Sequence, residues 1–222
     1  MDFEFLFKPV EGVDAWLAGL LDGAPLLIAL LIAFALGLRH ASDPDHLVAV
    51  TSLVAADDGD VRGATRLGAW WGLGHAGTLL VVGLPLIALT GELPRWLERG
   101  AETAVGVVIV LLAVRVIYRW RHPAHTHRVR SRGQAFGIGL LHGLAGTGAV
   151  VVLLIAAMPG RLEAAAALAV FAPMSVLSMA ACTSAFAWAL TRPAVAPLYR
   201  VALLPALGVF GLAFGLWYVG LA

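Results

Sequence analysis

The sequence has few charged residues and almost no cysteine. Asp, Glu, Lys and Arg together make up 13% of its 222 residues, whereas they form about a quarter of a typical soluble domain. Hydrophobic residues make up 60%, and the mean hydropathy is +0.89. This composition predicts an integral membrane protein. The only cysteine, Cys182, excludes an intramolecular disulfide and a cysteine pair that could carry electrons.

The chain also lacks several short motifs. Its first four residues contain no basic segment, so no cleaved signal peptide is expected. It has no His-Glu-x-x-His sequence, no serine elbow and no series of histidine boxes, so no catalytic residue is predicted. These absences argue against an enzyme. The net charge of only +1 gives no reason to expect a nucleic-acid partner.

Six apolar runs are long enough to cross about 30 Å of hydrocarbon as helices. They cover residues 26–56, 66–90, 99–120, 134–157, 162–190 and 197–221. A short interfacial helix is predicted from Val13 to Leu21. The predicted fold is therefore an all-α polytopic membrane helix bundle, for which a homo-oligomer is compatible with the sequence.

The basic residues predict the orientation of these spans. Arginines crowd the region 115–132, so the loop 121–133 is expected to face the cytoplasm, together with Arg62, Arg66 and Arg192. Both termini then lie on the opposite side. Four tryptophans are predicted to lie in the aromatic belts at the membrane interfaces: Trp70, Trp71, Trp96 and Trp120.

A cluster of ionisable residues interrupts the first apolar run. Its sequence is Arg39-His40-Ala41-Ser42-Asp43-Pro44-Asp45-His46. Each ionisable group at membrane depth costs roughly 2.5 to 3.5 kcal/mol on insertion scales, so five of them together indicate function. Pro44 removes a backbone donor and predicts a break or kink in the helix at this point.

The spacing of these residues predicts a metal site. On a continuous helix His40, Asp43 and His46 converge, whereas Asp45 points elsewhere. Imidazole with carboxylate suits nickel, cobalt, zinc or ferrous iron, and these ligands alone do not choose among them. A lone histidine in a span is more often a packed residue than a ligand, but four histidines with two aspartates favour ligands. The predicted metal ligands are His40, Asp43, Asp45, His46, His75 and His142.

Three further residues are assigned to the metal pathway. Met174 and Ser178 of the fifth span would line it, although such residues are usually packing residues. Arg39 would pair with an aspartate when metal is absent. The basic loop also contains His122, His125 and His127. His125-x-His127 could hand metal to or from the pore, but a solvated polar loop is the favoured interpretation.

An internal repeat relates the cluster to the second half of the chain. Residues 37–41 align with residues 139–143 at an offset of 102, which makes His40 and His142 equivalent. Each half has three spans, so the halves enter the membrane in opposite directions, as in many secondary transporters with broken helices. A second broken segment is therefore expected at the glycines that follow His142. The alternative is a chance likeness between two glycine-rich packing segments.

The repeat divides the chain into four parts. Residues 1–23 form an amino-terminal segment with the interfacial helix, residues 24–120 the first three-helix repeat, residues 121–133 the basic loop with its histidines, and residues 134–222 the second three-helix repeat.

The motifs resemble one known family. His40-x-x-x-x-Asp45-His46, preceded by Arg39, is similar to the signature segment of the nickel and cobalt transporter family. Leu73-Gly74-His75 resembles its Leu-Gly-His segment, and Phe171-Ala172-Pro173-Met174 is a loose counterpart of its Phe-x-x-Gly-Met. The chain departs from the family at residues 141–148, which lack the carboxylates of the Gly-x-Asp-Thr-Ala-Thr-Glu segment, and it is shorter.

The resemblance implies secondary transport of a divalent transition metal across the inner membrane of a bacterium or archaeon. It implies that His40, Asp45 and His46 recognise the ion, with nickel or cobalt as first choice and iron, zinc or manganese as alternatives. The expected partners are the metal ion, as substrate, and the lipid bilayer, without a prosthetic group. Two alternatives stay open: an intramembrane metal-dependent enzyme, over which the missing catalytic motifs favour a carrier, and an accessory membrane protein that delivers metal.

Overall fold

A computed structural model describes residues 3–20, 26–55, 61–89, 92–122, 132–193, 195 and 198–221. In this part of the chain all regular structure is helical. The helices are α1 (Glu4–Gly19), α2 (Leu26–Arg39), α3 (Pro44–Ala55), α4 (Val61–Leu89), α5 (Arg95–Arg121), α6 (Arg132–Ala157), α7 (Arg161–Leu190) and α8 (Leu204–Leu221). A π-helical segment, Tyr199–Leu203, precedes α8.

Five of the described helices are long and apolar enough to cross a membrane, and α2 with α3 passes the same test as a bent pair, which gives six spans if the pair is counted as one. The protein is therefore an integral membrane helix bundle, and the predicted fold class is confirmed. The helices extend a few residues beyond the predicted runs. For example, α4 begins at Val61 rather than residue 66, because a helix continues through polar residues that the hydropathy pattern excludes.

The first span is broken at the polar cluster, as Pro44 predicted. A single 3-10 turn, His40–Ser42, follows α2, and Asp43 adopts the extended conformation that precedes a proline, with ψ at 142°. Pro44 then occupies the first position of α3, where its missing N–H removes no helical bond. The two arms of the span meet with a bend of 49°.

The prediction of a second broken segment is wrong. Helix α6 runs without interruption through His142 and the glycines that follow it. No proline occurs in this helix, and glycine alone weakens a helix without removing a backbone donor. Instead, the glycines let neighbouring elements approach α6: a Cβ at Gly143 would lie 2.6 Å from the carbonyl oxygen of His75.

The amino-terminal helix is longer than predicted and starts earlier. It covers Glu4–Gly19 instead of residues 13–21. Aromatic rings hold its beginning against the last helix, since Phe3 contacts Phe214 and Trp217 at ring centroid distances of 5.6 Å. Burial of Phe3 against α8 favours folding over the whole segment, which the hydropathy pattern alone does not reveal.

The arrangement of the spans agrees with a two-fold relation between the halves. Helix α4 packs along α7, and α5 packs along α8, which are the pairs that the repeat makes equivalent. Gly37 and Gly139, equivalent at the offset of 102, each lie against the opposite half: Gly37 faces the backbone of Phe171, and Gly139 faces the carbonyl of Trp71. The inverted repeat itself stays a prediction.

Candidate metal centre

The predicted ligands lie near the middle of the spans. His75 is 14 residues from each end of α4 (75 − 61 and 89 − 75), and His142 is ten residues from the start of α6 (142 − 132). The other four ligands lie at the break between α2 and α3. The break allows both aspartates to face histidines, because it changes the helical spacing that would direct Asp45 away.

A carboxylate orients the first histidine. The Nδ1 atom of His40 lies 3.0 Å from a carboxylate oxygen of Asp43, and a guanidinium nitrogen of Arg39 lies 3.2 Å from the other oxygen. An ionised carboxylate only accepts hydrogen bonds, so Nδ1 of His40 carries a proton and Nε2 carries the lone pair when the ring is neutral. The Arg39–aspartate pair expected from the sequence is formed with Asp43.

The second aspartate lies between two histidines. Its oxygens accept hydrogen bonds from Nδ1 of His46 at 3.1 Å and from Nε2 of His142 at 2.9 Å. The lone pairs of these neutral rings are therefore on Nε2 of His46 and Nδ1 of His142. Histidines that bind metals commonly donate their other ring N–H to a carboxylate in this way.

Two buried histidine ring nitrogens have no hydrogen-bond partner in the part of the chain that the structure describes. They are Nε2 of His46 and Nδ1 of His75. The Nε2 atoms of His40 and His75 lie 3.0 Å apart, so one of them donates to the other. A buried polar atom without a hydrogen-bond partner lowers the stability of the fold by about 1–3 kcal/mol unless a bound ligand pairs with it.

Potential ligand atoms form two groups of three, within which all atoms lie inside 4.8 Å of one another. One group contains His40, His46 and His75, and the other contains Asp45, His46 and His142. The two groups contain five of the six predicted ligands, and the sixth, Asp43, lies outside them against Nδ1 of His40. The repeat-related His40 and His142 fall in different groups, on either side of His46.

A cavity of about 400 Å³ reaches one of these groups. Its polar lining consists of Glu11, Arg39, His40, Asp43, Asp45, His46, His142 and Tyr218. The cavity does not include His75, which is fully buried behind it. Glu11 and Tyr218 come from α1 and α8, and no pattern in the sequence indicates either of them.

Two aromatic side chains pack against the repeat-related histidines. Phe171 contacts His40 edge-on at 5.2 Å, and Trp71 contacts His142 edge-on at 5.5 Å. Trp71 is 2% exposed, so its assignment to the interfacial belt is wrong. Its position one helical turn before His75 is the signal that would have placed it beside the centre.

The proposed pathway residues of α7 lie outside the cavity lining. Ser178 instead serves the broken span: its hydroxyl donates to the carbonyl of Leu38 and accepts from the N–H of Ala41 at 3.3 Å. Met174 packs its Cβ beside Gly37. In the basic loop, His122 is exposed and stacks on Tyr118, whereas His125 and His127 lie outside the described residues.

No family model and no solved structure matches the chain. The chain is similar to three characterised or named proteins. The urease accessory protein UreH of Bacillus sp. (strain TB-90) is 27% identical over 214 residues, which is 90% of this chain and 93% of that protein. A high-affinity nickel transport protein of Cupriavidus necator is 35% identical over 104 residues, 46% of this chain and 29% of that protein.

A protein of Methanocaldococcus jannaschii named as a nickel/cobalt efflux system is 27% identical over 139 residues, 61% of this chain and 64% of that protein. The chain therefore spans less than two thirds of the length of both named metal transporters. The names of all three relatives are those of transport or accessory proteins, in agreement with the prediction that the chain is not an enzyme. The chain is therefore similar to two proteins named for nickel or cobalt transport, in agreement with the resemblance of the residues around His40 to the nickel and cobalt transporter family.

Proposed function

We propose that the chain is a secondary transporter that carries a divalent transition-metal ion, nickel or cobalt in the first place, through the bundle. The observation that carries this proposal is the unpaired Nε2 of His46, a lone pair buried at mid-span among three other histidines. Imidazole nitrogens suit borderline metals, whereas Mg²⁺ and Ca²⁺ prefer oxygen ligands.

The charge of the centre suits a divalent ion. With neutral histidines, Arg39 offsets one of the two aspartates, Asp43 and Asp45, and a single negative charge remains. A bound divalent ion changes that charge to +1, and the surrounding imidazoles replace part of its water shell. The charge therefore changes sign without becoming large, which keeps the desolvation penalty at membrane depth small.

The mechanism we propose is alternating access by two inverted repeats. In this mechanism the ion binds at the break of the first span and one half of the bundle rocks against the other around the bound ion. The central position of the ligands supports it, as does the packing of α4 on α7 and of α5 on α8 across the predicted repeat boundary.

Metal flux into liposomes that contain only the purified protein tests the proposal. We expect nickel and cobalt to enter and magnesium to be excluded. His40→Ala and His46→Ala should each reduce flux at least a hundredfold while the protein still assembles, because each loses a ligand and little apolar packing. His122→Ala, a histidine exposed at the end of α5, is the matched control and should transport normally. Normal flux in both ligand variants would disprove the site.

A second candidate function rests on the relative that covers most of the chain. The urease accessory protein matches 90% of this chain, whereas the two named transporters match 46% and 61%. A delivery protein would bind metal without moving it across a sealed membrane unless its partner were present. Binding without flux in the same liposomes would favour delivery over transport.

A further inference from the structure

We propose that the centre holds the ion at two alternative positions that share His46, and that the ion passes from one to the other. This inference rests on the proposed function of the centre and specifies how the ion is held. The outer position consists of Asp45, His46 and His142, and the inner position of His40, His46 and His75.

The two positions differ in their access to water. All three outer residues line the cavity, which is large enough to retain several water molecules around an ion. The inner position includes His75, which is 0% exposed and does not line the cavity. An ion at the inner position therefore has fewer water ligands than one at the outer position.

The two positions also differ in chemistry. The outer position offers a carboxylate oxygen with two imidazoles, a set that accepts hard and borderline ions. The inner position offers imidazoles only, because none of its three residues is a carboxylate, and Asp43 orients His40 through Nδ1. Both hard and borderline divalent ions can therefore bind at the outer position. Ions that require oxygen ligands do not move on to the inner position.

His46 belongs to both positions, so the ion can move from one to the other in a single step. Its ring lies 4.5 Å from the ring of His40 and 4.3 Å from the ring of His142, so it is between the other two. Its Nδ1 is held by Asp45 while its Nε2 is unpaired. An ion that keeps His46 as a ligand can exchange Asp45 and His142 for His40 and His75, so it is never free at membrane depth.

A single shell of four histidines is the alternative, and X-ray absorption on the nickel-loaded protein separates the two arrangements by counting imidazoles. Two positions predict two to three imidazoles in the wild type, three in His142→Gln, and two with a carboxylate oxygen in His75→Gln. A single shell predicts four in the wild type and three in either variant, a result that would overturn the proposal. Glutamine is chosen because it retains a polar group at each buried site.

Flux and binding measured on the same proteins complete the test. We expect each variant to bind nickel within tenfold of the wild type and to lose at least tenfold in flux, since one position remains and the transfer is blocked. His122→Gln is the control and should match the wild type in every measurement. Loss of binding in both variants would mean one shell and overturn the proposal. Wild-type protein that binds nickel at these positions but moves none would instead disprove the transport function.

Discussion

The Nε2 atoms of His40 and His75 lie 3.0 Å apart, with one proton between them. A metal ion that binds either nitrogen must displace this hydrogen bond, so protons and metal compete for the centre. Imidazole has an ordinary pKa of about 6.5, and its protonated form cannot bind metal.

The pH dependence of binding follows from this competition. Metal affinity should fall as the pH drops from about 7.5 to 5.5, because protonation removes lone pairs that the ion needs. More than one proton should be released per nickel bound near pH 6. Calorimetry in buffers of different ionisation enthalpy counts these protons. A count near zero would contradict this competition, because an ion that displaces no proton meets histidines that are already neutral at pH 6.

Ser178 provides a test of how the broken span is held. Ser178→Ala removes a donor to Leu38 and an acceptor for the N–H of Ala41, and we expect a loss of about 1–3 kcal/mol in the free energy of unfolding. Ser175→Ala is the matched control, because this buried hydroxyl bonds only within its own helix, to Ala172 at 2.8 Å. Thermal unfolding in detergent measures both. Loss of metal flux without loss of stability would instead support the prediction that Ser178 lines the metal pathway.

The contact between α4 and α6 requires glycine at position 139. A Cβ there would overlap the carbonyl oxygen of Trp71, so Gly139→Ala should destabilise the bundle by about 1–3 kcal/mol. Gly137 lies on the same helix with nothing within 4 Å of the added atom. Gly137→Ala should therefore leave the unfolding temperature unchanged or raise it. Equal effects of the two substitutions would contradict the close helix approach.

Labelling from one side of the membrane tests the inverted repeat. In a Cys182→Ala background, Arg62→Cys at the start of α4 and Leu162→Cys at the start of α7 should react from opposite sides, because the repeat reverses the direction of equivalent helices. An impermeant maleimide should label Leu162→Cys in intact cells and Arg62→Cys only after lysis. Labelling of both from outside would refute the repeat and the orientation together.

The sequence predicted the features that depend on local composition. Long apolar runs revealed the spans, and a proline within a charged cluster revealed the break. Helical spacing placed Asp45 away from the ligands, whereas the structure pairs it with His46 and His142. The difference arises at Pro44, where the spacing rule for a continuous helix no longer applies.

Features that depend on distant contacts were not predicted. The prediction placed Trp71 at the membrane interface because tryptophan is common there. In the structure Trp71 lies one helical turn before the buried His75 and is itself buried in the core. Tyr218 and Glu11 reach the cavity from the two ends of the chain. Their sequence neighbours are ordinary apolar or polar residues, so only the packing of α1 on α8 brings them there.

The glycine contacts between α4 and α6 have a consequence for the metal centre. Close backbone approach occurs at three successive points along this helix pair: Gly74 lies against the carbonyl of Phe136, Gly139 against that of Trp71, and Gly143 against that of His75. A peptide oxygen occupies the space of a side chain at each point, so neither helix can slide past the other without first separating from it. His75 and His142 lie on these two helices. The spacing between two of the four buried histidines is therefore set by the absence of side chains at three glycines.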